Sequence, residues 1–191
     1  MREDAEISIL ALSPALRDDY LAFFDHYAFV DNPRWAFCYC YFNHCPHTSV
    51  KWRDRRADQN RSAVSDLIDR AEMRGYLAYA GERPIGWCNA DLHAVYTTLD
   101  ETKPDRAQIG AIVCFIVAHP YRRMGVARRL LDAACAGFRD LGIEIVEGYA
   151  RNDTGDEAAN HHGPLSMYLG AGFQPVGQNG QVVVLGKSLR P

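Results

Sequence analysis

The stretch VAHPYRRMGVARRLL, residues 117–131, decides the fold of this chain. It follows a run of β-forming residues, 111–117, and its proline ends that run because a proline ring cannot extend a hydrogen-bonded ladder. Arg122, Arg123 and Gly125 come next, and an amphipathic helix begins directly after them. The first N–H groups of a helix have no acceptor within it, and the helix dipole favours negative charge there. Because glycine also lets an anion approach the backbone, the strand, turn and helix predict a pyrophosphate site.

This turn resembles the acetyl-CoA-binding motif of the GNAT superfamily of N-acetyltransferases, written Arg/Gln-x-x-Gly-x-Gly/Ala. Arg122, Gly125 and Ala127 fill the motif in register, and an ordinary strand–helix turn with solvated arginines is the alternative interpretation. The P-loop pattern and the GxGxxG pattern of dinucleotide sites are both absent from the sequence. The resemblance implies acetyl-CoA as cosubstrate, bound by the turn and helix start at Arg122, Arg123, Met124, Gly125, Val126 and Ala127 and by the strand backbone at Phe115, Ile116 and Val117.

The composition excludes several classes of protein. Hydrophobic residues make up 48% and charged residues 24% of the 191 residues, which indicates a packed globular domain rather than disorder. The net charge of −3 argues against a nucleic-acid binder, which needs a basic field. No apolar run is long enough to span a membrane and the first residues do not resemble a signal peptide, so we expect a cytoplasmic protein without a membrane partner. In that compartment the six cysteines are expected to be reduced thiols.

The predicted elements follow the order strand, two helices, three strands, helix, strand, short helix and two strands. This order resembles the GNAT fold, which implies an α/β protein with a central, mostly antiparallel twisted sheet of about seven strands and flanking helices. We expect one domain over residues 1–191, with acceptor-side elements in 1–60 and a CoA-binding core in 76–189. The predicted strands are 7–12, 76–79, 85–91, 109–117 (the longest), 143–150, 173–176 and 181–185; the predicted helices are 16–29, 57–74 capped by Gly75, 126–141 ended by Gly142, and 165–169.

Acetyl transfer from a thioester to an amine needs a proton donor for the departing thiolate. Tyr168 opens the segment 168–173, which resembles the second signature of the family, Tyr-x-x-x-Gly-Phe. The resemblance implies that Tyr168 protonates the CoA sulfur, and a phenol suits this role because it is protonated at neutral pH. The alternative is a packing residue whose hydroxyl bonds to a neighbour. Seven residues before this tyrosine the family often has an asparagine, whereas this chain has His161, with Asn160 one position away.

The amine must lose a proton before it attacks, so a base or a desolvating pocket is required. Glu147 is the predicted base, because it lies on the strand after the CoA-binding helix, where family members often carry an acid that works through water. Because side chains alternate between the two faces of a strand, Glu147 shares its face with apolar residues. A carboxylate in such surroundings is explained by a catalytic role or by an ion pair with an arginine. Both interpretations stay open. Asp91 and His93 are weaker candidates, and His119 is expected at the surface.

Three cysteines and two histidines fall within residues 38–47, a density that could bind zinc. The C-x-C and C-x-H spacings between Cys38 and His47 do not match the usual ligand pairs, so no metal is expected. The aromatic residues of 35–42 favour a wall of the acceptor pocket or a packed loop. Cys114, in the predicted central strand, could carry the acetyl group covalently, but its apolar neighbours indicate an inert thiol.

We therefore expect an acyltransferase, specifically an N-acetyltransferase that moves acetyl from acetyl-CoA directly to a primary amine of a small molecule or a protein. A catalytically silent acyl-CoA-binding module and a zinc-binding interaction domain through residues 38–47 are the alternatives. The expected partner is the amine acceptor and not a nucleic acid. Homodimers are common in the family that the chain resembles, and the sequence leaves that state open.

Overall fold

The computed structural model describes residues 6–151 and 161–190. In this part of the chain seven β-strands and four α-helices form, joined by turns and short 3₁₀ helices. None of these helices is both long and apolar enough to cross a membrane. The strands are β1 (Ile7–Ala11), β2 (Gly75–Ala80), β3 (Arg83–Leu92), β4 (Ile109–Val117), β5 (Ile145–Arg151), β6 (Gln174–Asn179) and β7 (Val182–Ser188), and the helices are α1 (Arg17–His26), α2 (Ala57–Asp69), α3 (Val126–Asp140) and α4 (Leu165–Gly170).

The strands form one sheet in the order β1-β2-β3-β4-β5-β7-β6. Neighbouring strands are antiparallel except β4 and β5, which run parallel and are connected through α3. This architecture confirms the predicted α/β fold with a mostly antiparallel seven-stranded sheet. The longest strand is β3, with ten residues, and not the nine-residue β4, so that prediction was wrong. The reason is the two-residue turn before β3, which lets pairing with β2 begin as early as Arg83.

The two faces of the sheet carry separate apolar clusters. Helix α3 covers one face, where Leu130 and Phe138 are buried. Helices α1 and α2 cover the other face, where Phe23 and Ile68 pack in the same cluster as Trp87. Burial on both faces is what lets the central strands be almost wholly apolar.

The helix ends test two predictions. Gly142 ends α3 as predicted, since it takes a left-handed φ of 75° and its amide donates to a carbonyl of the last turn. The predicted cap at Gly75 was wrong, because α2 ends at Asp69 and Ala71 takes the left-handed conformation with a φ of 54°. Gly75 instead begins β2, where a Cβ would lie 2.2 Å from a ring atom of Trp87. Close packing against the tryptophan, and not a helix cap, explains this glycine.

Strands β4 and β5 pair over only part of their length. The register joins residues 109–112 to residues 145–148, whereas β4 continues to Val117 and β5 to Arg151. Arg151 forms a bridge with Pro164 instead. The two strands therefore diverge, and β4 presents backbone groups from residue 113 onward that β5 does not pair.

Candidate active site

A cavity of about 960 Å³ lies where β4 and β5 diverge. The edge of β4 from residue 114 to 117 forms one wall, and the turn before α3 lines the cavity with the first residues of that helix. Residues of 161–167 and of 28–52 complete the lining. This volume is at the upper end of the range for small-molecule sites, so the cavity is large enough for an extended ligand.

The N-terminus of α3 opens into this cavity. The first hydrogen bond of the helix runs from the Arg129 amide to the Gly125 carbonyl, at 3.0 Å. The amides of the three residues before Arg129 therefore have no acceptor inside the helix. Gly125 has a left-handed φ of 78°, and a Cβ there would meet no heavy atom within 4 Å. The backbone at this end is therefore accessible, as anion binding requires.

Three arginines, Arg122, Arg123 and Arg128, line the same end of the cavity. The guanidinium of Arg122 is held in place by Asp31, with N–O distances of 2.5 and 3.1 Å. Burial raises the pKa of Asp31 and the hydrogen bond from Arg122 lowers it, with a net fall below the usual value. Because Asp31 offsets the charge of Arg122, the positive potential of this end comes from the helix N-terminus and the other arginines.

Eight of the nine residues predicted to bind the cosubstrate line the cavity. The exception is Met124, whose side chain is 43% exposed and lies outside the lining. The binding role of all nine stays a prediction. The eight lining residues are Phe115, Ile116, Val117, Arg122, Arg123, Gly125, Val126 and Ala127.

His162 lies at the point where the strands diverge. It lines the cavity, and its Nδ1 is 3.2 Å from the carbonyl oxygen of Val113, the first β4 residue beyond the paired stretch. A carbonyl only accepts, so Nδ1 carries the proton and Nε2 is left as an acceptor. Burial, followed by repulsion from His161, lowers the pKa of His162 to about 4, which keeps the ring neutral at neutral pH. The sequence analysis missed His162, whose only local signal is a histidine pair before a glycine.

Tyr168 lies behind the cavity wall and not in the lining. Its side chain is fully buried, and its hydroxyl donates to the carbonyl of His162 at 3.0 Å. The ring packs against Gly148, where a Cβ would lie 2.2 Å from a ring carbon. Gly148 is the last β5 residue paired with β4, so Tyr168 sits at the apex of the divergence. Burial raises the pKa of Tyr168 well above its usual value, and the phenol keeps its proton.

Glu147 also lies outside the cavity lining. Its carboxylate is buried, pairs with Lys103 at 2.6 Å and accepts the Tyr149 hydroxyl at 2.9 Å. The ion-pair partner is thus a lysine, and not one of the arginines that the sequence analysis considered. These contacts account for a carboxylate among apolar residues, and the role of Glu147 as general base stays a prediction.

The weaker candidates lie away from the cavity. Asp91 accepts the backbone amides of Arg74 at 3.2 Å and of Leu92 at 2.7 Å, and burial raises its pKa. His93 is buried, which lowers its pKa. Neither lines the cavity. His119 is exposed, as predicted.

Aromatic side chains of residues 35–52 form the remaining wall. Trp35, Phe37, Phe42 and Trp52 all line the cavity. The ring centroid of Trp52 is 5.4 Å from that of Phe37 and 5.1 Å from that of Phe42. The sequence analysis singled out the aromatic residues up to Phe42 but missed Trp52, because a lone tryptophan in an arginine-rich stretch has no periodic signal.

All six cysteines are free thiols. Cys38, Cys40 and Cys114 line the cavity, and the hydrogen bond to Cys40, together with burial, raises the pKa of the Cys114 thiol well above its usual value. A protonated thiol is a poor nucleophile, which agrees with an inert Cys114. Among the residues that the structure describes, no group of three or more His, Cys, Asp or Glu side chains could hold a metal ion.

Comparison with solved structures shows the same fold in several acetyltransferases. An N-acetyltransferase from Staphylococcus aureus Mu50 superposes with a TM-score of 0.59 and 13% identity, over 97% of this chain and 99% of that one. The paia N-acetyltransferase from Thermoplasma acidophilum, in complex with coenzyme A, superposes with a TM-score of 0.58 and 14% identity, over 96% of this chain and 99% of that one. The putative acetyltransferase yncA from Salmonella typhimurium, with its cofactor acetyl-CoA, superposes with a TM-score of 0.53 and 13% identity, over 96% of this chain and 94% of that one. At these identities the likeness concerns the fold.

Sequence comparison adds the family. No curated protein matches the chain, but the model of the acetyltransferase (GNAT) family matches residues 35–161, well over half of it. The matched span contains the diverging strand β4, the glycine turn and the whole of α3. Motif, sheet order and family match agree, and the chain therefore belongs to the acetyltransferase (GNAT) family, a family of acyltransferases.

Proposed function

We propose that this acyltransferase moves the acetyl group of acetyl-CoA directly to a primary amine of a small molecule or a protein. The observation that carries the proposal is the continuity of one cavity. It joins an accessible helix N-terminus and three arginines to a wall of aromatic side chains, along the edge of β4. An anionic carrier and an amine acceptor can therefore meet at that edge.

The diphosphate of acetyl-CoA is proposed to bind at the start of α3. The amides of residues 126–128 would donate to its oxygens, and the charge of Arg122 would offset its negative charge. The pantetheine arm would pair with β4 beyond residue 113, as an added strand pairs with an unpaired edge. The neighbours that contain coenzyme A and acetyl-CoA support this class of ligand.

Tyr168 is proposed as the general acid. When the amine nitrogen attacks the thioester carbonyl, the C–S bond breaks and the sulfur leaves as a thiolate that takes up a proton. The Tyr168 hydroxyl would turn from the His162 carbonyl, its present acceptor at 3.0 Å, towards that sulfur. Its site beside Gly148, where β5 leaves β4, supports this assignment.

Glu147 is proposed to receive the proton of the amine through water. The ion pair with Lys103, at 2.6 Å, competes with this role, because the carboxylate already has a charged partner. An apolar cavity wall supplies a second route, since a desolvated amine is more readily neutral. The exchange of Glu147 for glutamine separates the two routes.

We assign acceptor binding and CoA binding to two successive parts of the chain. Residues 1–60 would supply the acceptor side and residues 76–189 the CoA-binding core of one domain, in the cytoplasm. The aromatic wall comes from residues 35–52 and the electropositive end from residues 122–128, which supports this division.

Amine-dependent release of CoA tests the proposal. Purified protein is incubated with acetyl-CoA and single amines, and free thiol and N-acetylated product are measured together. Equal amounts of the two are expected. If the protein binds CoA but none of the amines causes acetyl-CoA to release free thiol, the protein is instead a silent acyl-CoA-binding module.

A further inference from the structure

The acceptor side of the cavity has an unusual combination of side chains. Trp35, Phe37, Phe42 and Trp52 line it, and none of the lining residues that the structure describes is an aspartate or a glutamate. The lining residues of the segment 28–52 include no charged side chain, and the lining arginines belong to the turn before α3 and to the start of that helix. The acceptor side of the cavity therefore presents ring faces, and no carboxylate, to an entering amine.

This combination disfavours acceptors with several positive charges. Each ammonium that leaves water needs a carboxylate or a comparable partner, and an unpaired one is costly to bury. Ring faces can accommodate one cation or one aromatic ring, through cation–π contact or stacking. A polyamine or an aminoglycoside would bring further charges, for which no carboxylate lines the described part of the cavity.

We infer that the natural acceptor is an aromatic monoamine, in which one amine is carried on or near a single apolar ring. This inference rests on the proposed function and names the substrate class for it. The ring would lie against Trp52 and Phe42, an edge-to-face pair whose centroids are 5.1 Å apart at an interplanar angle of 81°. The amine would then point towards the edge of β4, where the thioester is proposed to lie.

Two titratable side chains that line the cavity add no charge to it at neutral pH. His162 lines the same cavity, and burial lowers its pKa to about 4, so it adds no positive charge at neutral pH. Burial likewise raises the pKa of Cys38 to about 12, so this thiol adds no negative charge. An amine bonded directly to an aromatic ring enters neutral, whereas an amine one or two methylenes from the ring still has to lose a proton.

A panel of acceptors tests the inference. CoA release is measured for aniline, benzylamine, phenethylamine, propylamine, spermidine, kanamycin and a lysine-containing peptide, at a fixed acetyl-CoA concentration. Aromatic monoamines are expected to exceed spermidine and kanamycin in kcat/KM by on the order of 100-fold, because the extra charges of the polycations are unpaired. Preference for a polycation or for the peptide would overturn the inference and leave the proposed function standing. Release with no amine at all would overturn both.

Two variants locate the ring site. Trp52 is partly exposed and Phe42 is 41% exposed, so Trp52→Leu and Phe42→Leu should fold normally. Each is expected to raise KM for phenethylamine about 3- to 10-fold, the usual value of one aromatic contact, and to leave KM for propylamine and the Kd for CoA unchanged. The matched control is Leu141→Ala, an exposed apolar residue outside the cavity. Equal effects of the two aromatic variants on both amines, or no effect on either, would refute a ring-binding wall.

Discussion

Gly125 and Gly142 stand at the two ends of α3 in nearly the same backbone conformation, with φ values of 78° and 75°. A Cβ added at either would meet no heavy atom within 4 Å. Alanine at either position therefore introduces left-handed strain, about 1–2 kcal/mol, and no clash. For a chain of this length we expect each alanine variant to melt roughly 2–8 °C lower. The two glycines are thus a matched pair for stability.

Substitutions at the two positions should differ in their effect on CoA affinity, because only Gly125 lines the cavity. A carboxylate introduced by Gly125→Glu would lie beside the proposed diphosphate. Two like charges about 4 Å apart at an effective dielectric constant of about 20 repel by about 4 kcal/mol. That corresponds to roughly a thousandfold loss of CoA affinity. Gly125→Ala adds bulk without charge and should lose less.

Calorimetry decides between these expectations. Isothermal titration gives the Kd for CoA of Gly125→Ala, Gly125→Glu and Gly142→Glu, and differential scanning calorimetry compares the two alanine variants. We expect CoA affinity to be lost only at position 125 and melting temperatures to fall together. If folded Gly125→Glu binds CoA as tightly as the parent protein, the pyrophosphate assignment is wrong.

Four further outcomes are expected. Tyr168→Phe should lower kcat by about 10²–10⁴-fold with an unchanged Kd for CoA, and a parental kcat, with chemistry limiting the rate, would leave Tyr168 a packing residue. Glu147→Gln should lower kcat at neutral pH, and less near the pKa of the amine acceptor, if Glu147 acts as the base; a lower melting temperature with unchanged kcat would leave only the ion pair with Lys103. The pKa of His162 is lowered from 6.5 to about 4 in the folded chain, so the chain takes up a proton when it unfolds between pH 4 and 6.5. The free energy of unfolding should therefore fall as the pH drops from 6.5 to 4. His162→Gln should flatten that dependence on pH, and an unaltered dependence would contradict the lowered pKa. Purified protein should contain well under one zinc per chain, and stoichiometric zinc by elemental analysis would reassign the segment around Cys38.

The sequence predicts best what depends on neighbouring residues. The site at Gly125 needs only a strand, a turn and a helix start in succession, and all of these are encoded within about fifteen residues. The hairpin loop between β6 and β7 is local in the same way: Asn179 pairs with Val182 across a two-residue loop, in which Gly180 takes a left-handed φ of 57°. The order of elements along the chain could be predicted because each strand pattern could be recognised from its own residues, whereas the fold was implied by the family resemblance.

The rest depends on contacts between distant parts of the chain. Glu147 is paired with Lys103, 44 residues earlier, and nothing in the local sequence of either indicates the other. Trp52 becomes part of the cavity through its packing against Phe42, and not through any period of its own. The cap of α2 was misassigned because the position of Gly75 fits a helix end, while its real constraint is a tryptophan on the next strand.

Simultaneous measurement of CoA thiol and N-acetylated product, with phenethylamine as acceptor, tests the central claim most directly. We predict that thiol and N-acetylphenethylamine form in equal amounts, that both depend on the amine, and that Gly125→Glu abolishes both at acetyl-CoA concentrations that saturate the parent protein. Tight binding of CoA with no amine-dependent thiol release, for this and every other amine, would contradict the account and leave an acyl-CoA-binding protein without transferase activity.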